Sequence, residues 1–235
     1  MKKITPYSWN SKVISIILRP FKKQRAVVLI WVLILSFSGL KSQEEWTLKL
    51  DKEGIKIYSS PYPDSKVNAL KVLCTVESTL SQLTAVLLDI KTQDEWFYHT
   101  KSSVLQQVSP SELYYYAELY FPFPFSNRDF IEHIKVTQDT STKVVTMTVQ
   151  NVPDFISPKN NMVRVLKSQC KWLITPIGKN QTLVEFTLFA DPAGYIPIWL
   201  VNRFSYYGPF ETFKKLKTQL KKPEYANYSL SFICN

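Results

Sequence analysis

The sequence predicts an α+β fold, and three observations carry that prediction. Strand-like segments follow one another from Glu44 onward. One early segment switches to helical period, and one long amphipathic segment closes the chain. Runs of strands with helices set apart describe α+β, whereas a parallel sheet would show strands and helices in alternation.

Residues 47–50, 55–59 and 67–76 alternate or run apolar, with a turn at Gly54 and a Pro61-Tyr62-Pro63-Asp64 break between them. Residues 79–90 change period. Leu80, Leu83, Val86, Leu87 and Ile90 recur at three and four, which puts them on one face of a helix. Ser78 or Thr79 supplies its N-cap. Strands resume at 103–108, 113–121, 129–138, 143–149, 163–175 and 182–190. Asp139-Thr140-Ser141-Thr142 and Gly178-Lys179-Asn180-Gln181 read as hairpin turns.

The closing helix is marked by Leu200, Phe204, Tyr207, Phe210, Phe213, Leu216 and Leu220, each three or four residues from the next. Arg203, Lys214, Lys215, Lys217, Lys221 and Lys222 occupy its other faces. Gly208-Pro209 predicts a kink, because proline lacks the donor and crowds the preceding turn. The tail after Pro223 reads as loosely ordered. A long antiparallel sheet must bury one face, and only this helix is long enough to cover it. A curved sheet gripping a helix leaves a space between the two.

The 235 residues suit one large domain or two small ones. The formal charge of +10 is concentrated at the start. Residues 1–42 hold eight of the 29 cations and no carboxylate, leaving 21 cations against 19 anions, about +2. That balance argues against a nucleic-acid partner. Lys22, Lys23 and Arg25 precede an apolar run from Ala26 to Phe37, and Ser36, Ser38, Gly39 and Ser42 are small. This pattern predicts a signal peptide over 1–42, and with it a secreted or periplasmic protein. The alternative is an uncleaved membrane anchor over 26–40. The globular domain is expected over 43–222, followed by the 223–235 tail. Three cysteines, Cys74, Cys170 and Cys234, are too few for a disulfide framework. Cys74 and Cys170 read as buried thiols, with a disulfide between two of the three as the other reading.

No catalytic constellation is legible. The two histidines, His99 and His133, lack metal-ligand spacing to cysteines or carboxylates, and five glycines make no phosphate loop. No nucleophile elbow occurs. No metal and no cofactor are expected.

Two segments carry a resemblance. Ser126-Asn127-Arg128-Asp129-Phe130 follows the aromatic-proline run Phe121-Pro122-Phe123-Pro124-Phe125. Asp191-Pro192-Ala193-Gly194-Tyr195-Ile196-Pro197-Ile198-Trp199-Leu200-Val201-Asn202 opens the closing helix. In this order and separation they resemble the START lipid-transfer family over about 45–222, most closely its phosphatidylcholine-carrying branch. Trp96, after the early helix, falls where the family keeps a tryptophan, and Trp172 matches more loosely. The resemblance implies a helix-grip fold, with a curved antiparallel sheet around the C-terminal helix and an internal apolar cavity for one lipid. One departure stands out. The arginine that the phosphatidylcholine carriers place three residues before the tryptophan is Gln93 here, which leaves the head group open.

Within that frame Arg128-Asp129 is either a structural ion pair or hydrogen-bond anchor that fixes the strand after the aromatic-proline loop, or a polar contact to a lipid head. Alternation puts Arg128, Phe130, Glu132, Ile134 and Val136 on one strand face. If that face is inward, Arg128 and Glu132 are its polar points. Tyr114, Tyr115, Tyr116 and Tyr120 crowd one strand, and tyrosine joins an apolar ring to a hydrogen-bonding tip. The expected ligand contacts are Trp96, Tyr116, Glu118, Arg128, Phe130, Glu132, Ile134, Trp172, Trp199, Phe204 and Tyr207. The expected function is a monomeric carrier that holds one hydrophobic ligand and touches membranes transiently. The rival is an enzyme, of cyclase or hydrolase type, on the same fold. The apolar segments 121–125 and 195–200 are either packed core or the mouth of the tunnel.

Overall fold

The computed structural model describes residues 45–235, apart from the side chains of Ile198, Asn202, Arg203 and Phe204. The expected signal peptide or anchor lies outside the described residues. Ten strands form one sheet. They are β1 (Thr47–Lys52), β2 (Ile55–Ser60), β3 (Ala69–Val76), β4 (Thr100–Ser109), β5 (Glu112–Leu119), β6 (Asn127–Gln138), β7 (Val145–Asn151), β8 (Met162–Arg164), β9 (Lys167–Gly178) and β10 (Gln181–Asp191). Their order is β1-β2-β3-β10-β9-β7-β6-β5-β4, antiparallel throughout, with β8 added parallel to the start of β6. The helices are α1 (Leu80–Leu88), the single turn α2 (Gln93–Trp96) and the long α3 (Ile198–Gln219). This is a curved sheet gripping a C-terminal helix.

Local chemistry sets the elements. The Thr79 hydroxyl accepts from Gln82 N at 3.1 Å and caps α1. Asp139 accepts from the Ser141 and Thr142 amides at 2.9 and 2.8 Å, which closes the β6–β7 turn. α1 buries Leu80, Leu83, Val86 and Leu87, and α3 buries Phe210, Phe213, Leu216 and Leu220. Phe213 stacks on Trp172 at 5.5 Å and meets Phe186 at 5.8 Å, which joins the helix to β9 and β10. Burying each such ring contributes about 1.5–3 kcal/mol.

Two expectations are corrected. The single strand over 163–175 is two strands, because the chain changes partner: β8 pairs with β6, whereas β9 pairs with β7 and β10. α3 continues through Gly208-Pro209, with Pro209 inside it. The glycine is needed for a close approach, since a Cβ there would lie 3.2 Å from Tyr98 Cδ1. The tail is pinned rather than loose. Ile233 is buried, the Asn235 side chain accepts from Ser81 N at 2.8 Å, and Cys234 N donates to Gln138 at 2.7 Å. The three cysteines are free thiols.

Candidate functional site

β6 fixes the site. Its even-numbered residues Arg128, Phe130, Glu132 and Ile134 face the space between sheet and α3, and its odd-numbered residues face the other way. β5 pairs with it in register Leu119↔Arg128, Ala117↔Phe130 and Tyr115↔Glu132, so those three β5 residues face the same space. The space comprises two adjoining chambers of about 160 Å3 each. They share Phe97, Leu119, Phe130, Trp172, Phe186, Leu188 and Ala190 as lining.

The outer chamber is bounded by Tyr98, Phe121, Arg128, Pro192, Ile196, Val201 and Thr212. Arg128 is buried and has carbonyl partners only. Nε donates to Pro192 O at 3.0 Å, one terminal nitrogen donates to Ala193 O at 3.1 Å, and the other donates to Ser126 O. The loop before α3 presents the Pro192 and Ala193 carbonyls by turning through positive φ at Ala193 and Gly194, 52° and 65°. Only glycine takes that conformation without cost. The guanidinium also lies over Phe121, 4.6 Å from its ring centre. Arg128 thus ties the β5–β6 loop to the β10–α3 loop. Burial lowers its pKa from the ordinary arginine value.

The inner chamber is lined by Leu87, Gln93, Trp96, Tyr115, Glu132, Ile134, Met147 and Cys170. Among the described residues, Glu132 is its one acidic residue, and no arginine or lysine lines it. Both carboxyl oxygens accept hydrogen bonds, one from Tyr115 Oη and one from Ser168 Oγ at 3.3 Å. Burial raises the Glu132 pKa, and burial beside Glu132 raises that of Tyr115 well above the usual phenol range. Desolvation likewise pushes the Cys170 thiol well up. The Trp96 indole N–H is buried and has no hydrogen-bond partner among the described residues.

The structure brings Trp96, Arg128, Phe130, Glu132, Ile134 and Trp172 together around this space. It removes Tyr116 and Glu118, which lie on the opposite face of β5. Tyr116 Oη donates to Glu118 at 2.9 Å, and Lys159 pairs with Glu118 at 3.1 Å. The four tyrosines lie too close together to reveal the strand's phase, and choosing Tyr116 placed the inward face one residue out. Trp199 is 60% exposed and Tyr207 is exposed, packing edge-on to Tyr98 at 5.7 Å, so neither lines a chamber. Phe204 lies on α3 with its side chain outside the described residues. Tyr115, Phe97, Tyr98, Phe186 and Met147 line the space unforeseen. The available signal was register: Phe186 is opposite Trp172 and Met147 is opposite Trp172 on its other side.

Arg128 and Asp129 both act as structural anchors, and they do not pair with each other. Asp129 pairs instead with Arg164 in a two-pronged contact at 3.0 and 2.9 Å on the opposite side of the sheet. Arg164 also donates to the carbonyls of Pro153, Ile156 and Ser157, which fastens the β7–β8 loop. No group of three or more potential metal ligands occurs among the described residues.

A sheet closed over an apolar cavity by a C-terminal helix defines a class of ligand-holding domain. The START domain model matches residues 35–225, and the chain belongs to the START domain family, whose members bind and transfer lipids. The chain is 29% identical to the phosphatidylcholine transfer protein of Rattus norvegicus over 67% of its own length and 75% of that protein. It is 26% identical to an uncharacterised protein of Pseudomonas aeruginosa, covering 80% of this chain and 93% of the other. A crystal structure of a STAR-related lipid transfer protein from Xanthomonas axonopodis superposes with a TM-score of 0.69 at 28% identity, over 75% of this chain and 99% of that one. Human STARD10 shares the fold at a TM-score of 0.66 and 21% identity, over 79% and 77% of the two chains.

Proposed function

We propose that this chain is a lipid carrier, rather than an enzyme, and that it holds one lipid between the sheet and α3 and passes it between membranes. The observation that carries this is the apolar two-chambered cavity, whose lining among the described residues has just two charged side chains, Arg128 and Glu132. Cavities of this kind bind through apolar area and select through a few placed polar groups. Both charged groups already have structural partners. His99 is exposed, and His133 is bonded to Glu112 at 2.7 Å outside the cavity, so neither histidine is placed as a base on a bound ligand.

Membrane contact follows from the mouth. Phe123 is 97% exposed on the β5–β6 loop, Tyr195 is 91% exposed on the β10–α3 loop, and Trp199, at the start of α3, is 60% exposed. These are the two loops that Arg128 joins at the outer chamber. Aromatic rings favour the membrane–water interface. The carrier works as a monomer, and residues 1–42 direct it out of the cytoplasm or anchor it at a membrane.

The test is organic extraction of the purified protein followed by mass spectrometry, together with transfer of a labelled lipid between donor and acceptor vesicles. A stoichiometric lipid and accelerated transfer are expected. A chemically altered product released from the added lipid would overturn the carrier reading in favour of an enzyme.

A further inference from the structure

We infer that the inner chamber receives a neutral hydroxyl group on the buried end of the ligand, held between Glu132 and the Trp96 indole. This rests on the carrier reading. The two residues line one chamber and ask for complementary things. The Trp96 N–H is a donor without a partner among the described residues, and a buried unmet donor costs about 1–3 kcal/mol. Glu132 is a carboxyl group with no cation in the lining around it. A hydroxyl accepts from the first and donates to the second.

The other head groups satisfy less. A phosphate would sit against a carboxyl in a chamber whose lining holds no cation. Gln93 in that lining is neutral, and Arg128 is four residues along β6, roughly 13 Å at the usual rise per residue. The nitrogens of Arg128 are already committed to the Pro192, Ala193 and Ser126 carbonyls. A quaternary ammonium would find aromatic faces but would leave the indole donor unmet. Burial also favours the uncharged form of Glu132, which weakens its attraction for a cation.

Four probes with one C16 chain test the head group alone: hexadecanol, its methyl ether, the trimethylammonium and the phosphate, each titrated below its aggregation threshold and followed by native mass spectrometry. The alcohol should bind roughly tenfold or more tighter than the other three, because the ether cannot donate and the ions cannot be paired. Trp96→Phe keeps an aromatic ring and removes no protein hydrogen bond, while Glu132→Leu removes the acceptor. Each should abolish the preference for the alcohol over the ether while the ether still binds and the variant melts cooperatively. Equal or tighter binding of the phosphate or trimethylammonium probe overturns the inference and leaves the carrier reading standing. So does a preference for the alcohol that survives both substitutions. If none of the four chains binds, the carrier reading falls, and the inference falls with it.

Discussion

Arg128 and Asp129 are neighbours in the chain and fasten opposite sides of the sheet. Arg128 points to the cavity and holds the Ser126, Pro192 and Ala193 carbonyls, and Asp129 points away and holds Arg164. Strand alternation makes this possible, since consecutive side chains leave opposite faces. One dipeptide therefore joins the two loops beside the outer chamber and fastens the loop on the far side of the sheet.

Asp129→Ala should cost about 3–5 kcal/mol, because it leaves the Arg164 guanidinium buried without its carboxylate. The loss should be specific to stability. In urea unfolding the midpoint drops, while the folded variant retains wild-type head-group selectivity. Arg128→Met should give the complementary pattern, with faster proteolysis in loops 120–126 and 192–197 and a larger effect on ligand retention than on global stability. A uniform loss of stability in both variants would contradict this division.

Gly208→Leu should destabilise by about 1–3 kcal/mol through overpacking, because even a Cβ at that position would lie 3.2 Å from Tyr98 Cδ1. The offsetting gain from removing a helix-interior glycine is about 1 kcal/mol. Tyr98→Ala should recover part of the loss in a double-mutant cycle. Purely additive effects would show that Tyr98 does not set the requirement for glycine.

The fold was legible where period and boundary agree. α1, the β6–β7 turn and the amphipathic face of α3 follow from spacing and capping residues alone. The break between β8 and β9 was not legible, because the residues on both sides read as one apolar strand and the cause is a change of distant partner. The site was half legible. Alternation along β6 groups Arg128, Phe130, Glu132 and Ile134 without knowing which face is inward. On β5 the consecutive tyrosines erase the alternation, and only pairing to β6 shows that Tyr115 rather than Tyr116 faces the ligand space. Exposure of Trp199 was illegible too, since an apolar helix start looks the same packed or bare.

Glu132→Gln should raise stability at neutral pH, and the advantage should fade in acid. The sign follows from the raised pKa of Glu132. The folded state holds this proton more tightly than the unfolded chain does, so the penalty for ionising it is absent below the ordinary glutamate pKa of about 4.3. The penalty grows as pH rises through the folded value and is complete above it. Glutamine removes the titration while its oxygen still accepts one bond. Thermal melts of both proteins from pH 4 to pH 8 check this, and curves that stay parallel would mean Glu132 does not titrate differently on folding.

The aromatic mouth yields the last prediction. Phe123, Tyr195 and Trp199 are 97%, 91% and 60% exposed, so truncating them removes little packing within the fold. Phe123→Ser and Tyr195→Ser together should leave the melting temperature within a degree or two, because exposed substitutions usually change stability by less than about 0.5 kcal/mol. If these rings enter the bilayer interface when the carrier unloads, the double variant should transfer lipid between vesicles several-fold more slowly. Its equilibrium capacity for lipid should be unchanged, since neither ring lines a chamber. Adding anionic lipid to the acceptor vesicles should partly restore the rate by drawing in Lys214 and Lys215, which are exposed on α3, at about 1 kcal/mol per cation near the surface. Loss of capacity in step with loss of rate would place the two rings inside the binding process itself. An unchanged rate would send the search for the membrane-facing surface elsewhere on the domain.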